Sequence, residues 1–356
     1  EAIVAAMETG RRAMILSPPR HGKSLDEATP MFTDRGWLTA GEVKSGDRLV
    51  GPDGGWTEVT GVFPQGVTDA WEVSFSDGSS LVVSGDHLWE VSLRYGNAAR
   101  VLTTSEIRER SLVEADGHSR FRIPIGRFDG VTADLPIDPY LLGCWLGDGS
   151  TSKAEITSAD SEILEAFDHV YLRGSRIHQN GGRALTVGYL GLQRPLRLLG
   201  VLGNKHIPEQ YLYADRGQRL ALLHGLMDTD GSVSRASHQV EYSTKLEPLA
   251  AQVRWLVQSL GGTASVSSRR IGAGVYWRVF ISIAVCPFAL LRKQAAWSLA
   301  AKRVPIRTIR SIVRVADRPT VCFKVDNRRA LFAAGKDMIL THNTSLLLHF
   351  CVWLII

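Results

Sequence analysis

Leu141-Leu142-Gly143-Cys144-Trp145-Leu146-Gly147-Asp148-Gly149-Ser150 is answered later in the chain by Leu223-His224-Gly225-Leu226-Met227-Asp228-Thr229-Asp230-Gly231-Ser232. The two stretches agree in length, in glycine placement and in the closing Asp-Gly-Ser. Each reads as an apolar helix with small residues (Gly143 and Gly147, then Gly225) on the face where a second helix can come close. Each stops at an Asp directly before a Gly, a helix end that leaves a carboxylate projecting. Paired units of this kind predict a pseudo-two-fold arrangement, with Asp148 and Asp230 converging at the base of the helix interface. Two adjacent carboxylates repel unless a divalent cation lies between them, and hard oxygen ligands suit Mg²⁺. A cation held in this way activates water and stabilises the leaving oxygen of a phosphodiester. A single Asp-Gly helix end would be an ordinary cap; the matched second copy points to a site.

Working outward, the region from Ser24 to about Ala133 is made of short strand-like segments such as Arg48-Leu49-Val50, Trp71–Phe75 and Ser80–Val83. Turn chemistry at Pro52-Asp53-Gly54-Gly55 and Asp77-Gly78 separates them. A helical block opens near Asp138-Pro139-Tyr140, and mixed helix and strand run to about residue 300. After Lys302-Arg303-Val304-Pro305, strands return at Ile312–Val315 and Val321–Val325. The expected fold class is mixed: an all-β domain split by an α/β domain. Length (356 residues), 44% hydrophobic and 22% charged content allow two or three globular cores and argue against disorder. A net charge of +5 permits nucleic-acid binding without demonstrating it. Cys144, Cys286, Cys322 and Cys351 have neither CxxC spacing nor a disulfide framework, which suits a reducing cytoplasm. The most apolar stretch, Leu346–Ile356, is too short to span a bilayer, so no membrane is expected. With Glu rather than Met first, both ends are expected to be cut from a longer protein.

Both helix motifs resemble the LAGLIDADG (dodecapeptide) homing endonucleases. The resemblance implies that Asp148 and Asp230 are metal-binding acids, that Mg²⁺ is the cofactor, and that the partner is double-stranded DNA cut by a monomer carrying both repeats. Asn204-Lys205-His206-Ile207-Pro208 is similar to the family's Lys-x-Ile-Pro segment, which nominates Lys205 to assist the attacking hydroxide. Lys245 is the candidate for the corresponding part in the second half. Arg269, Arg270 and Arg278 are expected to contact phosphates.

The two ends of the chain carry the halves of another motif. Ser17-Pro18-Pro19-Arg20-His21-Gly22-Lys23 lacks the hydroxyl residue of a phosphate-binding loop, and Thr344, directly after His342-Asn343, supplies it. Deleting the residues between them restores Gly-Lys-Thr entering an apolar helix. The segment between resembles the inteins of the Hedgehog/intein fold. Ser24–Pro30 looks like the first block, Ser84-Gly85-Asp86-His87-Leu88-Trp89 like the block whose histidine activates the upstream bond, and Leu340-Thr341-His342-Asn343-Thr344 like the last block. The resemblance implies five pieces: an upstream host fragment 1–23, splicing-domain parts 24–133 and 301–343, an endonuclease domain 134–300, and a downstream host fragment 344–356. Asn343 would attack its own carbonyl and release Thr344, with His342 protonating the leaving nitrogen and His87 serving the upstream junction. Thr344 would accept the upstream chain. No cofactor is needed, because every reacting group is covalently present.

Trp89, Cys322 and Thr341 together match the class 3 inteins, in which an internal cysteine attacks the upstream carbonyl directly. Ser24 is the competing nucleophile, weaker at neutral pH without an adjacent base. The upstream boundary is placed between Lys23 and Ser24, although cleavage after Ser24 would leave Gly-Lys-Ser-Thr, also an acceptable loop. The host loop resembles that of phage terminase large subunits, which implies ATP and Mg²⁺ on Gly22, Lys23 and Thr344 only after splicing. Such a protein is expected in the cytoplasm of a bacterium, encoded by a phage or prophage. Two other readings stand beside this one: a P-loop NTPase with a permanent regulatory insertion, and a splicing domain carrying an inactive nuclease.

Overall fold

The computed structural model describes residues 24–96, 98–179, 182–234, 237–272, 274–299 and 304–342. The first part supplies β1 (Leu25–Asp26), β2 (Pro30–Thr33), β3 (Gly36–Thr39), β4 (Arg48–Val50), β5 (Trp56–Phe75), β6 (Ser80–Val83), β7 (Leu88–Leu93), β8 (Ala99–Thr103) and β9 (Phe121–Ile123). The middle part supplies β10 (Glu155–Ser158), β11 (Leu172–Gln179), β12 (Leu185–Leu190), β13 (Gly231–Val233), β14 (Val240–Thr244), β15 (Thr263–Ile271) and β16 (Gly274–Ser282). The last part supplies β17 (Arg307–Val325), β18 (Leu331–Ala334) and β19 (Ile339–His342). Among the described residues, twelve strands from the first and last parts form one sheet, in the order β18-β19-β7-β9-β17-β1-β6-β5-β4-β2-β3 with β8 on β7. The middle part contributes two separate antiparallel sheets, β10-β12-β11 and β13-β14-β16-β15.

The order matters for chemistry because strands far apart in sequence become neighbours. β1 pairs with both β17 and β6, and β19 pairs with β7 through His342 and Leu88. The two short strands expected at Ile312–Val315 and Val321–Val325 are one continuous strand, β17, running antiparallel to β5. Pro319 and the residues around it shift the register without ending the pairing, between Val315 and Arg318 and again between Thr320 and Val321. A bulge absorbs the local misfit that a sequence reading takes for a break.

The two motif helices are Pro139–Asp148 and Arg216–Asp230. Asp138 caps the first, accepting from the Tyr140 and Leu141 amides at 2.9 and 3.2 Å, and Pro139 fits the first turn, where no N–H is needed. Asp215 caps the second through the Gln218 amide at 2.9 Å. The helices meet backbone to backbone: a Cβ on Gly225 would strike the Tyr140 carbonyl, and one on Gly143 would strike that of Leu222. Gly225→Ala is therefore expected to cost about 2–3 kcal/mol of stability, read by thermal or denaturant unfolding; an unchanged midpoint would contradict this packing. The glycines that end the helices act differently from a left-handed cap. Gly149 and Gly231 have φ of −74° and −91°, in extended conformation. Glycine is needed there for space, since a side chain would run into Trp145 and Met227.

Among the described residues, two buried clusters form the interior. One lies within the large sheet and includes Leu25, Val83, Trp89, Val321 and Ile339. The other fills the middle part around Trp145, Leu222 and Leu256, and it also takes in Phe32, Val50, Met338 and Leu340 from the large sheet. No helix among the described residues is long and apolar enough to cross a membrane.

Candidate active sites

At the first site, both motif helices end on their acids. The Asp230 carboxylate lies against Gly147, beside Asp148, as a Cβ on Gly147 would sit 3.2 Å from its Oδ2. Asp148 is half-buried and Asp230 opens to solvent. Burial, followed by the charge of Asp230, pushes Asp148 up to about 6. The surrounding protein likewise raises Asp230. Lysines lie beside both acids. Lys205 Nζ donates to the carbonyls of Leu146, Gly147 and Gly149 at 3.0, 3.1 and 2.6 Å, capping the first motif helix. Burial lowers it to about 8, against the pull of Asp230 and Asp148.

The second half has the same device, made by a different residue from the expected one. Lys293 Nζ donates to Met227, Asp228 and Gly231 carbonyls at 2.9, 2.6 and 2.8 Å, capping the second motif helix. Burial lowers its pKa as well. Lys245 lies just beyond β14 with its amine 5.4 Å from the Tyr276 ring centroid, and the equivalent of Lys205 is Lys293. Asp228 sets the placement. Its carboxylate accepts from the Ala289 and Leu290 amides at 3.2 and 3.0 Å and from the Tyr140 hydroxyl at 3.1 Å, which anchors the start of the helix Leu291–Leu299 that carries Lys293.

Among the described residues no cage of three or more His, Cys, Asp or Glu side chains is present. Two carboxylates leave most of an octahedral shell to water and phosphate oxygens, a donor set that fits Mg²⁺ beside a phosphodiester. Arg269 and Arg270 are exposed on β15, whereas Arg278 is ion-paired with Glu241.

The acid pair makes a pH prediction. With its folded pKa raised from an ordinary value near 3.8 to about 6, Asp148 contributes stability below pH 4 that is lost as pH rises through 6. Asp148→Asn should therefore match the parent near pH 4 and become progressively more stable than the metal-free parent up to pH 7. Melting temperatures across that range check it; a pH-independent difference would contradict the assignment.

At the second site, the large sheet gathers residues from the first and last parts of the chain. The antiparallel register pairs Leu25 with Val321 and Asp26 with Thr320, so extending it by one residue sets Ser24 opposite Cys322. Both are buried. The Ser24 amide donates to Ser84 Oγ at 3.2 Å, and Ser84 N donates to the Ser24 carbonyl at 3.0 Å. The Ser24 hydroxyl has no hydrogen-bond partner among the described residues. The Ser84 carbonyl accepts from His87 N at 3.1 Å, closing the turn that presents the imidazole.

His87 Nε2 is hydrogen-bonded to the Thr341 hydroxyl. Trp89 is fully buried, meets the His87 ring edge-on at 4.9 Å between centroids, and donates to Thr104 Oγ1 at 3.0 Å. Thr104 in turn donates to the His87 carbonyl through its N and Oγ1 at 2.9 and 3.2 Å, so tryptophan and threonine together hold the histidine. His342, the last residue of β19, lies opposite Leu88, directly after His87. Gly22, Lys23, Asn343 and Thr344 lie outside the described residues.

The two sites and the split sheet are the features expected of an intein that carries a LAGLIDADG-type domain. Residues 217–295 match the family described as LAGLIDADG-like domain. The chain is 34% identical over 369 aligned positions to a protein named replicative DNA helicase DnaB from Mycobacterium intracellulare, covering 95% of this chain and 61% of that one. It is 28% identical to the homothallic switching endonuclease of Saccharomyces cerevisiae, over 40% of this chain and 30% of that one. It therefore spans less than two thirds of either relative. Among solved structures, the MchDnaB-1 intein is 16% identical with a TM-score of 0.33, covering 90% of this chain and 99% of that one.

Proposed function

We propose that residues 24–343 excise themselves, joining Lys23 to Thr344, and that the embedded domain, residues 134–300, makes a Mg²⁺-dependent double-strand cut in DNA lacking the insertion. The observation that carries the splicing half is the adjacency of Cys322 to Ser24, together with the His87–Thr341 hydrogen bond on the neighbouring strands. In this reading the Cys322 thiolate attacks the Lys23 carbonyl and forms a thioester, while the Ser24 nitrogen leaves with a proton. The Ser24 amide is already engaged by Ser84 Oγ, which orients the scissile bond. The acyl group then passes to the Thr344 hydroxyl, and the Cys322 thiol returns. Asn343 cyclises to succinimide and releases Thr344, with His342 and the Thr341–His87 pair at hand for the proton. The resulting ester rearranges to an amide.

The Ser24 hydroxyl has no hydrogen-bond partner among the described residues to take its proton, which supports Cys322 over Ser24 as first nucleophile. In the nuclease, Asp148 and Asp230 would hold Mg²⁺, which supplies charge to activate water and to stabilise the leaving oxygen. Lys205 and Lys293 keep the two helix ends in register and offer a proton-transfer group on each side, and one chain carrying both repeats acts as a monomer. The flanking residues belong to a P-loop ATPase that binds ATP and Mg²⁺ once Gly22, Lys23 and Thr344 are joined. Incubating the purified chain with linear DNA bearing the uninterrupted host site, with and without Mg²⁺, tests the nuclease. A metal-dependent cut is expected, and an uncut substrate at all metal concentrations would refute it.

A further inference from the structure

The strand that ends at the downstream junction is held by the nuclease domain. Arg254 lies on the helix Glu247–Ser259, inside the segment matched to the LAGLIDADG-like family. Its Nη2 pairs with Asp337 Oδ1 at 2.9 Å, with both side chains only 21% exposed. Asp337 sits in the turn between β18 and β19. From the other side, Arg307 donates to the Asp337 and Met338 carbonyls at 2.8 and 3.3 Å, and is itself fixed by the buried Asp77 at 2.8 Å. Gly335 N donates to the Pro30 carbonyl at 2.9 Å.

The turn held in this way is strained. Met338 is a non-glycine residue at φ 52°, a conformation that persists only where surroundings over-determine it. Its side chain and that of Leu340 are buried in the nuclease core rather than in the large-sheet core. Ile339 is bridged by Ile125 of the linker into the nuclease domain. Thr341, the partner of His87, is the third residue of β19, four residues beyond Asp337.

We propose that Arg254 is a positioning residue for the downstream splice junction, so that the nuclease domain contributes to splicing without touching a reacting atom. The inference rests on the reading of β19 as the strand leading to that junction. Loss of the ion pair frees one of three anchors of a strained turn, and the strand that carries Thr341 and His342 loosens with it. The upstream junction is held by the β1–β17 pairing and the Ser24–Ser84 hydrogen bonds, none of which includes a residue of the turn.

The test uses the full chain between two flanking reporter proteins. In Arg254→Ala, thioester formation on Cys322 should keep the parental rate, while release at Asn343 slows about tenfold and the branched species accumulates, because small misplacements cost unimolecular steps steeply. Arg254→Lys should recover part of the rate, and the exchanged pair Arg254→Asp with Asp337→Arg should recover more than either single change. Parental release in Arg254→Ala, or equal slowing of both junctions with no recovery in the exchanged pair, would overturn the proposal. Hydrogen exchange at amides 339–342 gives a readout independent of chemistry. Exchange should quicken in Arg254→Ala and return in the exchanged pair; unchanged exchange would overturn the clamp even in a chain that splices, whereas altered exchange in a chain that never splices would refute only the splicing reading.

Discussion

Cys322→Ala is expected to abolish excision, with no branched intermediate and a loss of at least roughly 10³-fold in the first step, as removal of a covalent nucleophile does elsewhere. The expectation comes from where the residue sits. It is buried on β17, directly across the register from Ser24, and a thiol is intrinsically more nucleophilic than a hydroxyl. Ser24→Ala should splice at close to the parental rate, since its hydroxyl has no partner among the described residues to withdraw the proton. Mass spectrometry of products over time separates the two variants. Splicing that survives in Cys322→Ala and fails in Ser24→Ala would reverse the assignment.

Asp148→Asn is expected to abolish Mg²⁺-dependent DNA cleavage, by about 10³-fold or more, while leaving splicing intact. The carboxylate stands beside Asp230 at the meeting point of the two motif helices, and its raised pKa reflects a negative charge that the protein alone compensates poorly. Asparagine keeps the shape and removes that charge, so the helix packing through Gly143 and Gly225 survives. The Arg254 clamp runs through a different helix and is untouched. Gel assays of DNA cleavage beside splicing assays on the same preparation check both parts. Cleavage at the parental level would remove Asp148 from the metal site; joint loss of cleavage and splicing would contradict separable chemistry.

Much of this was readable in the sequence where the signal is short-range. The existence of the two motif helices and the convergence of Asp148 with Asp230 follow from glycine and aspartate spacing within ten residues. Lys293 was missed because the Lys-x-Ile-Pro pattern that marks Lys205 is absent around it. Repeat spacing would have found it: the capping lysine follows its acid at a similar distance in both halves, 148 to 205 and 230 to 293, whereas Lys245 comes far too early. The union of two expected strands into β17 was hidden because bulges at Arg318 and Val321 look locally like an end, and only pairing with β5 carries the strand through. The nuclease core's capture of Met338 and Leu340 has no local signature at all; their apolar side chains tell that both are buried, not which core takes them.

The central claim is that peptide-bond exchange at the two ends of the split sheet frees the segment between them. Expressing the chain with longer flanks and weighing the products addresses it most directly. The account predicts a fused flank product in which Lys23 is joined to Thr344, together with a free polypeptide of residues 24–343. A folded precursor that yields neither species would contradict it.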